Sequence, residues 1–150
     1  MGARREGRES AVQFLYQRDL NGSINAENIE GFWDLRPAAK NVREFGMALA
    51  EGVLAKQETI DEHIRKAASN YELHRIAAVD RNILRIAIYE MLFCPEVPPV
   101  VSINEAIEIA KRFGSEDSGR FVNGVLDRIR AELPRSPRVA KGGGKGIEQP

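Results

Sequence analysis

"VDRNILRIAIYEMLFC", residues 79–94, decides the fold. Its apolar residues Ile83, Leu84, Ile86, Ala87, Ile88, Met91 and Leu92 recur at helical spacing and cover most of a helix circumference. A helix that is apolar nearly all round belongs at the centre of a fold, with other helices around it. Pro95 ends it, and "PEVPP" at 95–99 reads as a stiff connector.

The flanking segments supply the surrounding helices. Upstream, Ala11, Val12, Phe14, Leu15 and Leu20 mark a first helix that stops at "NG", and a short amphipathic piece, "AENIEGFWDL", ends before Pro37. Val42, Phe45, Leu49, Val53, Ile60, Ile64, Ala67 and Tyr71 then keep one helical phase, while "TIDE" at 59–62 reads as a capping box, so two helices or one kinked helix are expected. Downstream, "SINE" at 102–105 reads as a second capping box, opening a helix with inner face Ile103, Ala106, Ile107, Ala110 and Phe113. Gly114 stops that helix, and Ser115 is placed to cap a last one that buries Phe121, Val122, Val125, Leu126 and Ile129. Strand patterns and internal repeats are not evident. The expected fold class is all-α, a helical bundle of about six to seven helices.

With 150 residues, 43% of them apolar and 29% charged, the chain has the size and composition of one soluble domain. The 22 basic residues balance the 22 acidic ones, so no global charge points to nucleic acid, and charge has to be read by segment. The one cysteine, Cys94, forms no disulfide within the chain, and no apolar stretch of signal-peptide or membrane length follows the basic N-terminus. A cytoplasmic protein is expected, with no membrane association. From Pro134 the composition changes. Arg135, Arg138, Lys141 and Lys145 stand against Glu148, four cations to one acid and a net of +3, and the division expected is a folded domain over 1–133 with a disordered basic tail over 134–150.

Signals for catalysis are weak. No glycine-rich loop lies between a strand and a helix, and His63 and His74 have no cysteine partners with which to converge on a metal. Neither cofactor nor metal is expected, and the chain does not read as an enzyme. Glu62 and Glu105 sit where capping boxes place them. Glu116 and Asp117 read as first-turn acids on the positive end of a helix dipole, and structure or partner recognition accounts for them before catalysis does. Arg4, Arg5 and Arg8 form the main cationic cluster, since Arg8 neighbours the other two at i+4 and i+3. Such a cluster can contact several phosphates, although three arginines near a terminus are more often a solvated face.

The stretch "VDRNILRIAIYEM", followed by "PPVVSINEAIEIAKRFGSEDSGRFVNGVLDRI", closely resembles the NusB family of bacterial transcription antitermination factors. "RREGRESAVQFLYQRDL" is similar to that family's arginine-rich opening helix. The resemblance covers most of residues 4–132, is strongest at 79–129, and over roughly 23–70 is one of helical pattern alone.

The resemblance implies two packed three-helix subdomains and no catalysed reaction. It implies a partner, NusE, which also serves in the small ribosomal subunit. The pair would bind boxA, a short single-stranded RNA element, and join other Nus factors and RNA polymerase to suppress termination in ribosomal RNA operons. The RNA-contacting arginines carry over to Arg4, Arg5 and Arg8, and the partner surface to Tyr16, Phe113, Asp117 and Phe121. Asp80 takes another partner-facing position, where the family's side chain is often longer, and Tyr71 stands where many members have tryptophan. Some members form homodimers that bury the partner surface. Gly7 is expected to weaken the first turn of helix one until RNA orders it, and Gly124 to mark a close helix contact. Reversing the charge of Arg5 and Arg8 together should weaken RNA binding and spare the fold. A helical protein–protein adaptor without RNA contact is the alternative. The RNA-binding domain of a ribosomal RNA methyltransferase is a third reading, and it would need a catalytic domain after residue 132.

Overall fold

The computed structural model describes residues 2–21 and 29–134. The described residues form α1 (Ala3–Leu20), α2 (Ile29–Asp34), α3 (Lys40–Ala55), α4 (Gln57–Ala67), α5 (Ala78–Phe93), α6 (Pro99–Phe113) and α7 (Ser118–Glu132), with a 3-10 turn at Leu73–Arg75 before α5. Among them there is no strand. The fold is all-α. The expected tail lies outside the described residues, apart from Pro134, and so does part of the stretch leading into α2.

α5 is the axis. α1, α3 and α4 pack on it from one half, and α6 and α7 from the other. Ile83, Leu84, Ile88 and Met91 are closed to solvent, as the sequence predicts. Each such side chain contributes about 1.5–3 kcal/mol through burial. α5 is not apolar all round, however. Asn82, Arg85 and Glu90 are buried with the aliphatic residues because α1 and α4 bring them polar partners, Asp19, Asp61 and Arg8, and Asp80 is buried as well. α1 runs antiparallel to α5, since Arg8 meets Glu90 near one end and Asp19 meets Arg81 and Arg85 near the other.

α1 and α3 cross at two glycines. A Cβ on Gly46 would lie 2.9 Å from the Gly7 carbonyl oxygen, and a Cβ on Gly7 would lie 2.7 Å from the Phe45 ring. Gly7 is therefore buried in a helix crossing inside an unbroken α1, and the expectation of a loose first turn is corrected. α2 closes this half with an aromatic cluster of Phe14, Phe32 and Trp33, at ring separations of 4.7–5.7 Å.

Both expected capping boxes are displaced. The break between α3 and α4 falls at Lys56 with no side-chain cap, Asp61 turns to Arg85, and Glu62 pairs with Arg65 at the surface. α6 starts one turn before Ser102, because Pro98 and Pro99 supply the cap position and a first residue with φ already set. Ser102 and Glu105 thus lie inside the helix and face α5 and α1. Smaller differences concern apolar residues. Leu20 and Tyr71 are exposed, and Ile109 takes the fully buried position on α6 while Ile107 is half-buried.

Candidate nucleic-acid and partner interface

The first turns of α1 bring Arg8 to α5, Arg5 to α6 and Arg4 beside Phe45 of α3, and the three have different fates. Arg8 is 4% exposed. Its Nε and Nη2 donate to the Glu90 carboxylate at 2.9–3.2 Å, and Ser102 Oγ donates to the same carboxylate at 3.1 Å. Arg5 keeps 30% of its side chain exposed and forks onto Glu105 with two 2.8 Å bonds. That pairing raises Arg5 above its ordinary value. On Glu105 the hydrogen bond from Arg5 outweighs burial and, with the charges of Arg5 and Arg8, holds the carboxyl below the usual carboxylate range. Arg4 is exposed and makes no ion pair among the described residues. Its guanidinium lies 5.2 Å from the Phe45 ring centre, and that of Arg8 lies 5.3 Å from the same ring.

Arg8 thus differs from the other two in exposure. Its guanidinium is held by the Glu90 carboxylate and nearly closed to solvent, and this pair docks the first part of α1 on α5. Reversing its charge would place a third carboxylate beside Glu90 and Glu105 and would not spare the fold.

The expected partner residues lie on α1 (Tyr16), α5 (Asp80), the end of α6 (Phe113) and the start of α7 (Asp117 and Phe121). Tyr16, Phe113 and Phe121 are half-buried. Phe113 lies under the Arg112 guanidinium, and Phe121 meets Tyr71 edge-on at 5.4 Å. Phe121 is thus only half-buried, packed against the core on one side, where its phase with Val125 and Ile129 predicts a buried ring. The corner between α6 and α7 is closed by serine. The Ser115 N–H donates to Ser118 Oγ at 2.9 Å, and Asp117, not Ser115, holds the cap position of α7. Asp117 makes no capping bond. Its side chain is 79% exposed, 3.5 Å from Arg120. Asp80 is only 8% exposed in the first turn of α5, and its Oδ1 accepts no hydrogen bond among the described residues.

One cluster was not legible in the sequence. Asp19 on α1 accepts from Arg81, Asn82 and Arg85, while Arg85 also forks onto Asp61 of α4 at 2.9 and 3.1 Å. Burial alone would raise the Asp19 carboxyl. The charge of Arg85 and the hydrogen bonds from Asn82 and Arg81 outweigh it and hold the carboxyl below its usual range. No group of three His, Cys, Asp or Glu that could hold a metal ion is present among the described residues, and no described helix is long and apolar enough to cross a membrane.

The model of the NusB family matches residues 5–131. This chain belongs to the NusB family. The transcription antitermination protein NusB of Geobacter sulfurreducens is 48% identical over 135 residues, which cover 89% of this chain and 98% of that protein. The NusB of Desulfatibacillum aliphaticivorans is 45% identical over 141 residues, covering 94% of this chain and 99% of the relative. Among solved structures, T. maritima NusB superposes with a TM-score of 0.78 at 37% identity, covering 86% of this chain and 91% of that one. A NusB crystallised with NusE and double-stranded RNA gives the same TM-score at 28% identity, covering 89% of this chain and 99% of that one. The family match thus takes in Arg5 and Arg8 on α1 and Phe121 on α7.

Proposed function

We propose that this chain is a transcription antitermination factor that binds boxA RNA together with NusE and acts on nascent ribosomal RNA transcripts in the cytoplasm, alongside other Nus factors and RNA polymerase. The observation that carries the reading is the match, over 89% of this chain, to a NusB found in a complex with NusE and RNA. Arg4 and Arg5 are the phosphate contacts. Arg8 positions them from its buried pair with Glu90. Tyr16, Phe113, Phe121 and Asp117 form the NusE face, with the half-buried rings as anchors and the exposed acid at the rim. Asp80 is left out of the face in the free chain because it is buried. No step of this function requires a catalysed reaction. A homodimer through the same rings would compete with NusE.

The test is co-purification with NusE, followed by titration with boxA-containing single-stranded RNA, a scrambled strand and a duplex. The expected result is a stoichiometric complex that binds boxA RNA more tightly than either control. A stable NusE complex with no RNA affinity would make the chain a protein–protein adaptor.

A further inference from the structure

A groove of about 320 Å3 runs between the end of α4 and the face of α7. Lys66, Arg120 and Arg128 line it together with Ser69, Asn70, Tyr71, Phe121 and Gly124, and its lining holds no carboxylate. In a chain whose charges balance, a groove with three cations and no acid is a local exception. Arg128 is anchored, donating to the Ala67 carbonyl at 2.9 Å, while Lys66 and Arg120 reach solvent. Asp117, at the cap position of α7, lies 3.5 Å from Arg120 and is itself solvated. Tyr71 is 54% exposed with its ring propped edge-on by Phe121, which leaves an aromatic surface at the groove wall.

Gly124 supplies an independent observation. The sequence suggests a close helix contact there, yet a Cβ on Gly124 would meet nothing nearer than Arg128 Nη2 at 4.0 Å. Packing does not require this glycine, and a mid-helix glycine lowers helix stability. What its missing side chain does is keep the floor of the groove open.

We propose that this groove binds a single-stranded RNA segment flanking boxA, with one base against Tyr71 and the adjacent phosphates at Lys66, Arg120 and Arg128. A cationic track beside an exposed aromatic ring is how single strands are held without sequence readout, because every base has a face to stack and every nucleotide a phosphate. The groove also continues the proposed NusE face, since Phe121 belongs to both. The proposal extends the boxA reading, and its test separates the two.

The test compares boxA RNA with the same RNA extended by ten unstructured nucleotides on either side, bound to the NusE complex of the full chain and followed by fluorescence anisotropy. The variants are Lys66→Glu and Gly124→Leu, neither of which belongs to the NusE face. For the parent, one extended RNA binds more tightly than the core. Each variant cancels that gain, about tenfold, the scale of one lost base stack. Each binds core RNA normally, and Lys66→Glu flattens the salt slope on extended RNA by roughly 0.7. Gly124→Leu keeps or raises the thermal midpoint, so lost affinity cannot be ascribed to unfolding. Extended RNA bound equally by parent and variants overturns the groove. Loss of NusE binding in the variants also overturns it, making the face a protein contact. A parent that fails on core RNA defeats the boxA reading alone, and the groove then stands or falls on the extended RNA.

Discussion

Two arginine–carboxylate clusters fasten α1 to α5, one at each end, and they are built for different purposes. At the end where α5 begins, Arg81, Arg85, Asn82, Asp19 and Asp61 satisfy one another across three helices, and every member is largely hidden. At the opposite end the cluster opens outward, from Arg8 and Glu90 in the core, through Arg5 and Glu105 at the rim, to Arg4 in solvent. Both ends dock the same helix. The closed cluster spends all its charge on docking. The open one keeps cationic donors at the surface, where a phosphate can compete for them. Charge that serves a fold is paired and dry, and charge that serves a ligand keeps a path to water.

The largest effect is expected at the closed end. Arg85→Met leaves Asp19 and Asp61 without their shared partner, and removing one side of a buried ion pair costs about 3–5 kcal/mol. Urea unfolding should show the midpoint falling with m unchanged. RNA affinity of the folded fraction should be unaffected. Arg8→Met should come next, smaller because Ser102 still donates to Glu90. Replacing Arg8 and Glu90 together by Met and Leu should recover much of that loss, since both charges then leave the core. A double variant as unstable as the single would mean that Arg8 acts through packing on Phe45 and not through its charge.

Acid should act at both ends. Asp19 and Glu105 are each held below the ordinary carboxylate range. A depressed carboxyl contributes stability that is present above its unfolded pKa, about 4, and is lost as pH falls through the lower folded value. The thermal midpoint should therefore be flat above about pH 5 and drop below about pH 4. In Arg85→Met the drop should be shallower, because the charge that depresses Asp19 is gone.

Arg5→Gln separates the ends most directly. The Arg5–Glu105 pair is partly exposed, and pairs of that kind contribute only about 0.2–1 kcal/mol. Stability should barely change, while boxA affinity in the NusE complex falls and its salt slope flattens by roughly 0.7. Unchanged RNA binding would remove the open cluster from the RNA surface.

The fold was legible because apolar spacing survives in every helix. Ile83, Leu84, Ile88 and Met91 announce the axis, and Val122, Val125, Leu126 and Ile129 announce α7. Polar pairing was not legible. Asp19 and Arg81 are 62 residues apart and Arg5 and Glu105 are 100 apart, and no local pattern links them. Ser102 and Glu105 show how a local pattern misleads, since they match a capping box in spacing but two prolines start the helix a turn earlier. Of the site, residue types were legible and exposure was not. Arg4, Arg5 and Arg8 read alike in sequence, and only the neighbouring Glu90 and Glu105 distinguish them.

The smallest effect on the fold is expected at the corner between α6 and α7. Asp117 holds the cap position of α7 without a capping bond, and its contact with Arg120 is long and solvated. Ser118, not Asp117, ties the corner by accepting the Ser115 N–H. Asp117→Ala should therefore stay within about 0.5 kcal/mol of the parent, the range of ordinary surface substitutions. Ser118→Ala should cost more, about 0.5–1.5 kcal/mol, because the partly buried Ser115 N–H loses its acceptor. The order reverses for binding. Asp117 stands at the rim of the proposed NusE face, where a charge governs encounter and its salt dependence. Calorimetry against NusE at two salt concentrations should show Asp117→Ala with altered affinity and a weaker salt response, and Ser118→Ala close to the parent once folded. If Asp117→Ala matches the parent at both salt concentrations, the acid is a solvated helix start and the NusE face rests on Tyr16, Phe113 and Phe121 alone.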